Sequence, residues 1–240
     1  MERTYVLVPG AWMGAWVWEP VAERLRALGH QARSVTLSGL DDASSEVSSI
    51  GLATHVDDVL AVLEEHDLRD VIVVGHGYSG VVVGQVADRA PDRVAHTVFI
   101  EAFLPHYGRS MLDAFPAGVR EFELQAIADN GGRWPAPPVM VAADGQDLSV
   151  RQARSLVARF VGHPGRTISE PAVLSRPLEE LSATYIVCEK DHFDGAIAAD
   201  VQAMRSAPNW TFHTLQTGHW PMVSRLDRLT CLLAEATANG

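Results

Sequence analysis

Two kinds of apolar pattern alternate along the first half of the chain. Short β-branched runs, "TYVLVP" (4–9), "QARSVTL" (31–37), "DVIVVG" (70–75) and "RVAHTVFIEA" (93–102), predict strands. Between them, residues 16–28 place Trp18, Val21, Leu25 and Leu28 at helical spacing, and Gly29 closes that helix. Residues 51–65 repeat the helical period through Leu52, Val56, Val59, Leu60 and Leu63, and "SGVVVGQVADRA" (79–90) predicts a third helix. After Asp70 the run "DVIVVG" is continuously apolar, as expected of a strand buried on both faces of a parallel sheet. This βαβα succession predicts an α/β fold, a mostly parallel sheet of about six strands with helices on both faces.

The pattern weakens between Phe103 and Leu181. That stretch is rich in proline, holds one helical segment at 149–161 ("SVRQARSLVARFV") and includes the loop-like "NGGRWPAPP" (130–138). The alternation then resumes with a strand at "TYIVCE" (184–189), a helix near 195–206, a strand at "WTFHTL" (210–215) and a last helix from Pro221 to about Ala236. Residues 1–240 read as one domain, with 103–181 as a small helical lid inserted between two sheet strands.

Net charge is −11, which disfavours nucleic acid and anionic membranes as partners. No apolar run approaches membrane-spanning length, and the amino end enters a strand at once without a secretory pattern. A cytoplasmic protein acting on a small molecule is therefore expected, and a homodimer is compatible with the sequence. Cys188 and Cys231 lie in apolar runs without CxxC spacing and are expected to be buried free thiols. The histidines show neither HxxxH nor HExxH spacing, so neither a metal site nor a cofactor is expected.

In an open parallel sheet, ligands bind beyond the carboxyl ends of the strands. Five loops leave strands at that edge: 9–12, 75–80, 101–103, 189–192 and 217–220. Asp191 follows the penultimate strand, with Asp194 close behind it, and His219 follows the last. In the second loop the chain reads Gly75-His76-Gly77-Tyr78-Ser79. The pattern that presents a reactive serine on a strand-to-helix turn is G-x-S-x-G. Here a glycine stands where that serine belongs, and a serine stands at the last glycine.

"YVLVPGAWMGAWVWEPVAERLRALGH", "VIVVGHGYSGVVV", "VFIEAFLP", "YIVCEKD" and "TGHWPM" resemble the α/β-hydrolase family, in particular the branch of plant hydroxynitrile lyases, plant methylesterases and bacterial esterases. The resemblance runs nearly end to end and is weakest at 103–181. It implies the α/β-hydrolase fold, His219 as catalytic base and Asp191 as the acid that orients it, with Asp194 as a rival for that role. It also implies an oxyanion hole from the backbone N–H groups of Ala11 and Tyr78. Pro9 stands where many members have histidine, a mild departure. Gly77 is a severe one, because it offers no nucleophile for an acyl-enzyme.

Trp12, His76, Ser79, Phe103 and Trp220 are candidate pocket residues. Ser79 fits a tight helix–strand contact better than a nucleophile's role, and His76 fits a hydrogen-bonded scaffold. Tyr78 is left with two roles, ring at the wall or hydroxyl at the substrate. Three functions are compatible with this pattern. The first is non-covalent acid–base chemistry by the His–Asp pair (lysis, cyclisation, isomerisation or direct water attack) on a small carbonyl-containing, aromatic or polyketide-like metabolite. The second is an esterase whose nucleophile was replaced by Gly77, naturally or by design. The third is a ligand-binding protein without catalysis.

Overall fold

Side chains of strand β1 (Thr4–Val8) alternate between two apolar clusters: Tyr5 and Leu7 join one, Val6 and Val8 the other. That is the period-two geometry of a strand buried on both faces. The computed structural model describes residues 2–190 and 195–236. After β1 the chain forms α1 (Glu19–Ala27), β2 (Gln31–Ser34), α2 (Leu52–Glu65), β3 (Val71–His76), α3 (Gly80–Arg89) and β4 (Val94–Ile100). The inserted stretch forms α4 (Ala117–Asp129), β5 (Arg133–Trp134), α5 (Val139–Ala143), α6 (Val150–Val157), β6 (His163–Pro164) and α7 (Arg166–Ser169). The chain returns through β7 (Ala183–Cys188), α8 (Gly195–Met204), β8 (Trp210–Leu215), α9 (Pro221–Ser224) and α10 (Leu226–Ala236).

Six strands form one sheet in the order β2-β1-β3-β4-β7-β8, and every neighbouring pair is parallel. Ile72 and Val74 of β3 continue the cluster shared by α1 and α10, while Val71 and Val73 continue the one shared by α2, α3 and α8. From β1 the chain moves outward to β2, then returns to place β3 on the other side of β1. The order reverses there, and a crevice opens beyond the carboxyl ends of β1 and β3.

Five details differ from the sequence reading. Strand β2 ends at Ser34, not Leu37: its ladder with β1 stops at Leu7 opposite Ser34, while β1 continues to Val8 against β3. Helix α4 was not expected. It buries none of its residues, and Val119, Phe122 and Leu124 are exposed, so it carries no apolar stripe to read. Helix α6 ends at Val157, and Val161 leaves to donate its N–H to Trp12 O at 2.9 Å. The last helix is broken at Arg225, whose backbone leaves the helical region at φ −135° and ψ 39°. Cys188 is buried as expected, but Cys231 is exposed on α10, and both are free thiols.

The inserted stretch is tied to the sheet domain by polar anchors. The Arg133 guanidinium donates to the carbonyls of Gly39 (3.0 Å), Asp42 (3.2 Å), Ser45 (2.7 Å) and Gly162 (2.6 Å). Glu170 accepts the Leu52 N–H at 2.8 Å, which places a carboxylate at the amino end of α2.

Candidate active site

Strand β3 ends extended at His76, and the next residue, Gly77, turns into the left-handed region at φ +54° before a 3₁₀ turn opens α3. Glycine adopts that conformation without the penalty a side chain brings. The turn is braced on three sides. Ser79 Oγ accepts the His76 N–H at 2.8 Å and reaches Val8 O at 2.9 Å, tying β3 to β1. Phe103 donates its N–H to Gly77 O at 3.0 Å, which fastens the loop after β4. A Cβ built on Gly77 would lie 3.2 Å from His219 Nε2. Residue 77 and the imidazole therefore face one another.

His219 is half-buried on the loop after β8, its ring 4.5 Å from that of His76 and perpendicular to Trp220 at 5.2 Å. His76 Nε2 donates to the His219 carbonyl at 2.6 Å, so the ε nitrogen of His76 carries the hydrogen. The His219 N–H donates to Gln146 Oε1, and the Gly218 N–H donates to Asp147 Oδ1 at 2.9 Å. Asp191 and its rival Asp194 lie outside the described residues.

Across the crevice, Trp12 also sits in the left-handed region, at φ +65°. Its backbone N–H donates to His163 Nδ1 at 3.3 Å and its indole N–H to Trp134 O at 3.2 Å. The Tyr78 hydroxyl donates to His55 Nδ1 at 2.8 Å, and His55 Nε2 donates to Ser38 O at 2.9 Å. The His163 ring packs edge-on to Tyr78 at 4.4 Å. Burial lowers His55 to about 4, against the smaller raising effects of its bond to Ser38 and of Asp58. Burial also lowers His163, helped by the charges of His55 and Arg133. Both imidazoles are therefore neutral acceptors at neutral pH. The Tyr78 hydroxyl is pushed upward by burial and stays protonated.

These walls enclose a cavity of about 320 Å³ with Ala11, Trp12, Gly77, Tyr78, His219 and Trp220 around its floor and Phe115, Trp134 and Val141 of the inserted stretch above. Among the described residues, no charged side chain lines it. Residues 5–230 match the alpha/beta hydrolase family. The chain belongs to that family. Among its relatives, the chain is 39% identical over 113 residues to the "Carbendazim hydrolyzing esterase" of Nocardioides sp. (strain SG-4G), covering 47% of each chain. It is 35% identical over 257 residues to "Methylesterase 2" of Arabidopsis thaliana, covering 95% of this chain and 94% of that one. The chain thus spans about half the length of some curated relatives and nearly all of others. Among solved structures, an extracellular alpha/beta-hydrolase from a Paenibacillus species superposes with a TM-score of 0.88 at 22% identity, covering 99% of this chain and 100% of that one.

The structure brings Ala11, Trp12, Gly77, Tyr78, Phe103, His219 and Trp220 to one cavity. His76 and Ser79, named as pocket residues from the sequence, are buried behind its wall and bond to backbone. Tyr78 turns its hydroxyl to His55, away from a substrate-facing role for that group. Sequence reasoning missed His55, His163, Gln146 and Asp147. Each acts through a contact between segments far apart in the chain, and no local spacing signals it. No helix of the described residues is long and apolar enough to cross a membrane.

Proposed function

We propose that this hydrolase-family chain is an enzyme working without a covalent intermediate. His219 serves as general base and then general acid, and the N–H groups of Ala11 and Tyr78 stabilise the oxyanion. One observation carries the reading: His219 Nε2 stands at a nucleophile's reach from residue 77, and residue 77 has no side chain. The imidazole is left to act on a bound molecule. The apolar wall suits a small carbonyl compound with an aromatic or polyketide-like body.

Two steps fit such a site. In direct water attack, His219 takes a proton as the water oxygen bonds to the carbonyl carbon. The carbonyl electrons move to oxygen, facing the two N–H groups, and collapse expels a leaving group that takes the proton back. In the alternative, His219 removes a proton from carbon or oxygen, a C–C or C–O bond breaks, and the same N–H pair holds the enolate until the imidazolium returns the proton. Asp191, carried over from the family pattern, would fix the imidazole tautomer. The esterase names of the Nocardioides and Arabidopsis relatives favour esters as substrates for the first step.

The test offers the protein p-nitrophenyl acetate and the aromatic β-keto acid 3-oxo-3-phenylpropanoate and follows both by NMR. Wild type converts at least one without an acyl adduct in its intact mass, and His219→Ala converts neither above the buffer rate. Wild-type rates in His219→Ala defeat the proposal. Binding without conversion points to a ligand-binding protein.

A further inference from the structure

The 217–220 loop takes its shape from a segment far upstream, residues 144–149 between α5 and α6. Asp147 Oδ1 accepts the Gly218 N–H at 2.9 Å and the Thr217 hydroxyl at 3.1 Å, and its other oxygen pairs with Arg225 at 3.1 Å. Gln146 Oε1 accepts the N–H of His219 itself. That same oxygen occupies the place a Cβ at position 218 would need, so a side chain there would displace the Gln146 amide. Gln146 also lines the cavity. Burial pushes the Asp147 carboxyl up, but bonds from Gly218, Thr217 and Ser224 and the charge of Arg225 outweigh it and hold the group ionised.

We propose that Gln146 and Asp147 form the positioning element of the catalytic imidazole, so that the inserted stretch, not the sheet alone, sets where His219 stands over Gly77. The inference rests on the reading of His219 as the acid–base group. The β8 ladder ends at Leu215 opposite Cys188, before the loop begins. His76 holds the loop's outgoing carbonyl, and Gln146 and Asp147 hold three consecutive donors on its incoming side. Without them the imidazole loses its fixed height above residue 77. A misplacement of about 1 Å can cost on the order of 100-fold in rate.

Gln146→Ala and Gln146→Glu are compared with wild type by two readouts. One is the NMR titration of the His219 imidazole in labelled protein, assigned with His219→Ala. The other is kcat and KM on whichever of the two probes above wild type turns over. Besides Asp191, which the family pattern gives to the imidazole, the charged and titratable groups of the described residues around the loop are His76, Asp147, Lys190 and Arg225, the same in all three proteins. Gln146→Ala lowers kcat by about 10- to 100-fold with KM within about threefold, while circular dichroism shows a folded protein. Gln146→Glu keeps an acceptor for the His219 N–H and restores part of kcat. Its new negative charge moves the His219 titration, and with it the acid limb of the rate profile, to higher pH. A wild-type kcat in Gln146→Ala, or an unmoved His219 titration in Gln146→Glu, overturns the proposal. A wild type that turns over neither probe leaves the titration to decide, so loss of the functional reading and loss of this one are told apart.

Discussion

His219 Nε2 lies 3.2 Å from where a side chain would begin at Gly77, close enough that any Cβ there forces the imidazole back by a few tenths of an ångström. Gly77→Ser therefore introduces two effects of opposite value. A non-glycine residue at φ +54° costs about 1–3 kcal/mol of stability. The new hydroxyl, however, enters hydrogen-bond reach of the imidazole. The variant is expected to unfold at lower urea than wild type, yet to gain the mass of a fluorophosphonate adduct, which wild type and Gly77→Ser/His219→Ala do not. A folded Gly77→Ser protein that stays unlabelled means the imidazole does not address residue 77 in solution.

The backbone amide of Trp12, a residue in the left-handed region, donates to His163 Nδ1 at 3.3 Å, on a fully buried ring beneath the crevice floor. Replacing His163 by leucine keeps similar bulk but leaves a part-buried donor without this acceptor, which costs about 1 kcal/mol. His163→Leu is expected to lower the urea midpoint and the turnover together, because Trp12 adjoins the Ala11 N–H assigned to the oxyanion. Unchanged stability shows that the Trp12 amide does not depend on His163.

The strands and the helices around them were legible because their apolar residues repeat at 2 or 3.6 and end at turn residues; β8 runs over Trp210–Leu215 as read from the sequence. The cavity loops were legible because a parallel sheet delivers them to one edge. Helix α4 was not, since a helix that buries nothing leaves no periodic trace. Nor were the supports of the site. Gln146 meets His219, His163 meets Trp12 and His55 meets Tyr78 only after the chain has folded.

Buried neutral histidines make stability depend on pH in a direction that can be worked out. His55 falls from 6.5 to about 4 in the folded protein, chiefly through burial, so the unfolded chain binds its proton first as pH drops. The stabilisation is complete above about pH 6.5 and is lost progressively towards pH 4, where this one group costs on the order of 3 kcal/mol. His96 and His163, also lowered by burial, act in the same direction. Urea midpoints measured across that window are expected to fall steeply in wild type and less steeply in His55→Gln. Parallel curves for the two proteins refute the assignment.

Arg133 joins the inserted stretch to the 39–45 loop through three carbonyl oxygens, with a fourth at Gly162 inside the stretch, rather than through a carboxylate. Its planar fork points donors in fixed directions, and a lysine ammonium cannot reach carbonyls on several sides at once. Arg133→Lys is therefore expected to behave much like Arg133→Met, each losing about 2 kcal/mol and becoming open to limited proteolysis within residues 39–50. The partners are dipoles held at part-buried positions, so the loss should be nearly the same in low and high salt, whereas a surface ion pair would be screened. Unfolding titrations of the three proteins at low and at molar salt check both points. Full stability in Arg133→Lys, or a deficit that vanishes in salt, would show that charge rather than the fork holds the loop.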